Sequence, residues 1–91
     1  MTALCRQVTV VNKLGLHARA ATRLAQLAAG YRATITLHLD EQQANANSIF
    51  GLLMLQGCRG RTITVCCDGD DADAALSAVC ELFACRFDEA E

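Results

Sequence analysis

The sequence predicts an α+β fold in which an antiparallel sheet carries its helices on one face. Two observations support this class. The 91 residues are 53% hydrophobic and 20% charged, a composition typical of a single globular domain spanning 1–91. Strand-like and helix-like segments follow one another in the order βαββαβα, which favours a two-layer architecture. No linker or low-complexity tract divides the chain.

Each element has a local signal. Strands are expected where β-branched and alternating apolar residues occur, at about 5–11, 33–39, 42–44 and 61–67. Helices are expected where helix formers place apolar residues on one face, at about 18–29, 48–55 and 71–84. Gly30 is expected to end the first helix. The apolar stripe of the third helix comprises Ala72, Ala75, Leu76, Val79, Leu82 and Phe83.

A histidine stands at the predicted start of the first helix. No Ser, Thr, Asp or Asn caps this helix, so the backbone N–H groups of Ala18, Arg19 and Ala20 are available to an anion. The positive helix end and Arg19 both disfavour an imidazolium at His17. Because Nδ1 lies nearer the backbone than Nε2, a phosphoryl group on Nδ1 would meet these donors. The alternative is a surface histidine in a turn, beside a solvated arginine.

Three segments, Asn12 to Ala21, Ala46 to Leu55 and Gly60-Arg61, resemble the HPr family, the phosphocarriers of the bacterial phosphotransferase system. The resemblance covers nearly the whole chain. It implies an open-faced two-layer β-sandwich, with a four-stranded antiparallel sheet and three helices on one face. It also implies that His17 is the phosphorylated histidine and Arg19 its phosphate-binding partner. Ser48 matches the serine that an HPr serine kinase/phosphatase modifies in some branches.

The resemblance implies a bacterial, cofactor-free phosphoryl carrier rather than an enzyme. Such a carrier accepts a phosphoryl group from phospho-enzyme I and passes it to an enzyme IIA-type protein, in sugar uptake or its regulation. Ala20 and Ser48 favour the HPr branch, whereas the Leu52 to Leu55 run and Gly60-Arg61 favour the nitrogen-related paralogue NPr; we favour HPr. From topology alone, a ferredoxin-like binding module stays open, and His17 with Arg19 distinguishes the carrier from it.

Ala20 departs from the family pattern, because many members have proline at this position. Proline in a first helical turn fixes φ without removing an intrahelical hydrogen bond. We therefore expect alanine to cost the turn some rigidity and no hydrogen bond.

The second predicted helix is apolar nearly all round. A helix of about two turns on one layer cannot bury every side chain, so we expect Ile49, Phe50 and Leu53 to form an exposed docking patch for partners. The alternative is a helix that lies entirely in the core. Ser48 precedes the apolar run and is expected to be its N-cap.

Composition and charge exclude several classes. A formal net charge of −2 argues against general affinity for nucleic acid, and no apolar stretch approaches the length of a membrane span. Residues 1–6 show no signal-peptide pattern. We therefore expect a cytoplasmic protein, monomeric and without membrane insertion.

The six cysteines raise a rival interpretation. They form no C-x-x-C pair, and the vicinal Cys66 and Cys67 point to opposite faces of a strand. No metal site is therefore predicted, and most cysteines are expected to be small buried hydrophobes. The alternative is a redox-active or metal-binding pair. The six are Cys5, Cys58, Cys66, Cys67, Cys80 and Cys85.

Overall fold

The computed structural model describes residues 3–89, which form one four-stranded antiparallel sheet with three α-helices. The strands are β1 (Leu4–Thr9), β2 (Thr34–Leu39), β3 (Gln42–Asn45) and β4 (Thr62–Asp68), and their order in the sheet is β1-β4-β2-β3. The helices are α1 (Ala18–Ala28), α2 (Ile49–Met54) and α3 (Ala72–Ala84), followed by a C-terminal 3-10 turn (Arg86–Asp88). The predicted fold class is therefore confirmed.

The core lies between the helices and one face of the sheet. Alternate residues of β2 and β4 are buried there, as the period of two predicts: Ile35, Leu37, Leu39, Ile63, Val65 and Cys67. The apolar stripe of α3 packs against them and is buried except for Leu82, which is partly buried. Within residues 3–89, no helix is long and apolar enough to cross a membrane.

Two backbone features beyond the predicted elements matter for the site. After β1, the backbone of Val10 is bonded to the residues just before β4. Its N–H donates to Arg61 O at 2.9 Å, and its O accepts from Gly60 N at 2.8 Å. At the other end, Arg86, Phe87 and Asp88 have positive φ angles of 61°, 54° and 63°. The buried Phe87 packs edge-on against Phe83, with ring centroids 4.8 Å apart. The chain therefore turns back towards the start of α1.

The expectation that most cysteines are small buried hydrophobes is wrong. Only Cys67 is buried, while Cys80 and Cys66 are half-buried and the other three are exposed: Cys5, Cys58 and Cys85. Cys66 and Cys67 do point to opposite faces, as predicted. Cys66, however, lies opposite Cys5 of β1, and a disulfide joins them. The register between β1 and β4 produces this pair, and no spacing within a single strand could indicate it.

Candidate phosphohistidine site

His17 is the N-cap residue of α1. Its backbone is extended (φ −86°, ψ −178°), and no side chain caps the helix. The first intrahelical bond runs from Ala21 N to His17 O at 2.8 Å, so the N–H groups of residues 18–20 precede the helical ladder. No acidic residue lies in this first turn. The helix start is therefore uncapped, as predicted, and its first-turn N–H groups are not bonded to a capping side chain.

A glycine-dependent turn holds His17 in place. Gly15 has a φ of +67°, and its carbonyl oxygen accepts from His17 N at 3.0 Å and from Asn12 Nδ2 at 2.8 Å. The next residue, the buried Leu16, donates its N–H to Gly57 O at 2.9 Å. A Cβ on Gly15 would lie 2.5 Å from Gly57 O, closer than real Cβ contacts. Only glycine fits both the conformation and the close approach of the backbone.

The ring of His17 contacts a carboxylate that sequence reasoning missed. Its Nε2 lies 2.6 Å from Oε2 of Glu89, and Oε1 of the same carboxylate accepts from Asn12 Nδ2 at 2.7 Å. The side chains of His17 and Glu89 are 24% and 12% exposed, so water screens the contact only in part. A carboxylate only accepts hydrogen bonds, so a neutral ring carries its proton on Nε2 and keeps the Nδ1 lone pair free.

Asn12 connects the turn to Glu89. It is fully buried and donates to both Gly15 O and the Glu89 carboxylate. Among residues 3–89, its Oδ1 is the one buried side-chain oxygen or nitrogen without a hydrogen-bond partner. Because both neighbours of Nδ2 are acceptors, the amide cannot be turned over without losing both bonds. Asn12 therefore ties the conformation before α1 to the end of the chain.

Arg19 lies on the first turn of α1 and is exposed. Within the described part of the chain it makes no hydrogen bond to His17. It lines an open groove along α1, where the nearby Arg23 donates from Nη1 to Asp88 Oδ2 at 2.8 Å. A cation at the positive end of a helix is locally unfavourable. A bound anion would make its placement favourable.

The predicted apolar patch is exposed in part. Phe50 is 75% exposed, Ile49 is also exposed, and Met54 on the same helix shares this exposure. Leu53 is half-buried and packs in part against the core, so it is less exposed than predicted. On the segment that leads to His17, Val11 and Leu14 are exposed as well. We call these exposed residues of α2 and of the 11–14 segment the apolar patch: Val11, Leu14, Ile49, Phe50 and Met54.

Ser48 is the N-cap of α2, as predicted. Its Oγ accepts from Gly51 N at 3.1 Å, and the residue is half-buried. The Ser48 backbone N–H donates to Asn45 O at 2.9 Å, so the cap is tied to the end of β3. The structure therefore gives this serine a structural role next to the exposed residues of α2.

A histidine at an uncapped helix start, with an arginine on the same turn and exposed apolar residues on the segment before it, is the arrangement expected of a protein that carries a phosphoryl group on histidine. Residues 4–84 match the family PTS-HPr, described as the PTS HPr component phosphorylation site. The chain therefore belongs to the HPr family of phosphocarriers of the phosphotransferase system. It is a carrier and not an enzyme, and its family implies phosphotransfer partners such as enzyme I and enzyme IIA-type proteins.

Individual relatives agree with this assignment. The chain is 58% identical over 90 residues to phosphocarrier protein NPr of Shewanella violacea, covering 99% of both. It is 42% identical over 88 residues to phosphocarrier protein HPr of Cupriavidus necator, covering 97% of this chain and 99% of the relative. The crystal structure of HPr-C-His from Thermoanaerobacter tengcongensis superposes with a TM-score of 0.92 at 31% identity, covering 97% of this chain and 99% of that one.

Proposed function

We propose that His17 is the phosphoryl acceptor and that Nδ1 is the reacting atom. One observation carries this proposal. His17 stands at the open start of α1 while its Nε2 lies 2.6 Å from the Glu89 carboxylate. The contact with Glu89 leaves Nδ1, the nitrogen nearer the backbone, with a free lone pair beside the first-turn N–H groups. The site therefore offers a nucleophile and an anion cradle together.

The transfer requires no proton movement at His17. The Nδ1 lone pair attacks the phosphorus of phospho-enzyme I, and the bond from phosphorus to the donor breaks. The Nε2 proton stays in its hydrogen bond to Glu89, so the charge that the ring acquires faces a carboxylate. In the second transfer, to an enzyme IIA-type protein, His17 is the leaving group. Each partner supplies the remaining groups of the transition state.

The phosphoryl oxygens would be held by the chain's own donors. The backbone N–H groups of Ala18, Arg19 and Ala20 precede the helical ladder and lie at the positive end of α1. The Arg19 guanidinium, which is exposed on the same turn, would neutralise the charge that develops on the phosphoryl group. Glu89 and Asn12 act on the ring and not on the phosphoryl group, so they are positioning residues.

Docking would use the apolar patch. Phe50 is the most exposed of its members and cannot contribute much to the core. Desolvation of such a side chain against a partner is a common source of binding free energy. Ile49 stays a candidate beside it, and Met54 is a better candidate than Leu53 because Met54 is exposed and Leu53 is half-buried.

We further propose that the protein acts in the cytoplasm as a monomer and that an HPr serine kinase/phosphatase modifies Ser48. The Ser48 hydroxyl caps α2 beside Ile49 and Phe50, so a phosphate there would add negative charge to the apolar patch. The expected consequence is weaker docking rather than unfolding, since a negative charge is favourable at a helix start.

The NPr branch is the second candidate. The identity of 58% to NPr of Shewanella violacea exceeds the 42% to HPr of Cupriavidus necator. This difference supports the nitrogen-related branch, whereas Ala20 and Ser48 support the HPr branch, which is the first candidate. The two can be separated by comparing transfer rates from His17 to enzyme IIA proteins of the nitrogen and sugar branches. Faster transfer to the nitrogen-branch acceptor supports NPr, and faster transfer to a sugar-branch acceptor supports HPr.

The acceptor residue can be tested with a matched pair of variants. The chain has two histidines, so His38→Ala is the natural control for His17→Ala. Each variant is incubated with enzyme I and phosphoenolpyruvate, and its intact mass is measured. We expect one acid-labile, base-stable phosphate on the parent and on His38→Ala, and none on His17→Ala with unchanged far-UV circular dichroism. Phosphorylation of a folded His17→Ala variant would overturn the assignment.

A further inference from the structure

The disulfide between Cys5 and Cys66 joins β1, the edge strand of the described sheet, to its neighbour β4. The two residues are register partners with Cα atoms 4.1 Å apart. They lie on the face of the sheet opposite the helices. The other cross-strand pairs on this face are polar, with Gln7 opposite Thr64 and Thr9 opposite Thr62. Core packing therefore does not explain these two cysteines.

The two residues of the pair differ in exposure. Cys5 is exposed and Cys66 is half-buried, so an external thiol reaches Cys5 first. The neighbouring Cys67 points into the core, where burial and the nearby Cys80 raise the pKa of its thiol. A thiol held in this state is a poor nucleophile and does not compete for Cys66. Cys67 therefore does not displace Cys5 from its disulfide with Cys66.

We propose that Cys5 and Cys66 are a reversible thiol–disulfide site for small thiols of the glutathione class. An exposed disulfide is of the labile type. The proposal also rests on the cytoplasmic location proposed above, because disulfides in a reducing cytoplasm are commonly redox-active rather than structural. The site lies on the sheet face that carries no helix, so it is distinct from the phosphohistidine site.

The exchange balances in two steps. A glutathione thiolate attacks Sγ of Cys5, which forms a mixed disulfide and releases Cys66 as a thiolate. A second glutathione thiolate attacks the glutathione sulfur of that mixed disulfide and releases Cys5. The products are two protein thiols and glutathione disulfide. The two cysteines together gain two electrons and two protons, and oxidation follows the same path in reverse.

Reduction of the disulfide should make the first half of β1 more dynamic without displacing His17. The disulfide lies in the first half of β1, whereas Val10 is held at the other end by its backbone bonds to Gly60 and Arg61. We therefore expect faster amide hydrogen exchange at residues 5–7 in the dithiol form and unchanged exchange at residues 20–24 of α1.

The test is a redox titration of the folded full chain. The protein is equilibrated in glutathione buffers of varied ratio, quenched in acid, alkylated after denaturation and mapped by mass spectrometry. We expect Cys5 and Cys66 to change together with one midpoint within the titration, and Cys85→Ser to behave as the parent does. Two results contradict the proposal: both thiols stay free in fully oxidised buffer, or the bond stays closed in fully reduced buffer.

Two variants test the order of attack. In Cys66→Ser, oxidised glutathione should add one glutathione to Cys5, and addition to Cys66 in Cys5→Ser should be slower because Cys66 is less exposed. Equal or inverted rates would contradict the order. If either variant fails to fold, the titration of the parent still decides whether the pair is reversible.

Discussion

Replacement of Gly15 by alanine should destabilise the fold by about 2–4 kcal/mol. The positive φ of +67° costs an L residue about 1 kcal/mol. The new Cβ would also lie 2.5 Å from Gly57 O and 3.1 Å from Cys58 Cα. Both are backbone atoms, so relief requires a shift of the main chain, and overpacking of this kind costs about 1–3 kcal/mol. The shift would also weaken the bond from Leu16 N to Gly57 O.

Gly60→Ala is the matched control. Gly60 has a φ of +92°, yet a Cβ there would meet nothing within 4 Å. The Gly60→Ala substitution should therefore destabilise the fold by about 1 kcal/mol, which is the cost of the positive φ alone. Urea denaturation followed by circular dichroism gives both free energies of unfolding, with an unchanged dependence on urea concentration. Gly15→Ala should also slow phosphorylation of His17. Equal destabilisation by the two substitutions would refute the argument that the close approach to Gly57 holds the turn.

Three further predictions concern the site. Phe50→Ala should weaken enzyme I binding by about 1–2 kcal/mol, measured by calorimetry, with a smaller loss in the free energy of unfolding. A loss of stability without a binding defect would place Phe50 in the core. Ser48→Asp should keep its thermal midpoint near the parent's but slow transfer to His17 at least about tenfold, roughly 1.4 kcal/mol; equal rates would reduce Ser48 to a structural cap. Glu89→Ala should increase the fraction of His17 rings protonated on Nδ1, measured by ring 15N shifts, while Asp88→Ala on the same segment should not. Unchanged ring shifts in Glu89→Ala would contradict the positioning role.

The features that local sequence dictates were predictable. The absence of a capping side chain before Ala18 predicts an open helix start, and the structure confirms it. The alternation of Ile63, Val65 and Cys67 predicts the buried face of β4 in the same way. Both depend on contacts within a few residues of chain, which the period of an element specifies.

The features that depend on long-range contacts were not predictable. Glu89 is 72 residues from His17, and three successive positive φ angles bring it there. A turn with positive φ angles is usually indicated by glycine, but Arg86-Phe87-Asp88 contains none. The packing of the buried Phe87 stabilises this turn instead. The pairing of Cys5 with Cys66 likewise follows from strand register and not from spacing. Leu53 is likewise half-buried because of how α2 packs against its neighbours.

The most direct test of the account is the position of the phosphate on the His17 ring. The chain is labelled with 15N and phosphorylated by enzyme I and phosphoenolpyruvate, and the ring nitrogens are observed by NMR. If His17 reacts through Nδ1, phosphorus will be coupled to Nδ1 and the proton will be retained on Nε2 against Glu89. Phosphate on Nε2, or on any residue other than His17, would contradict it.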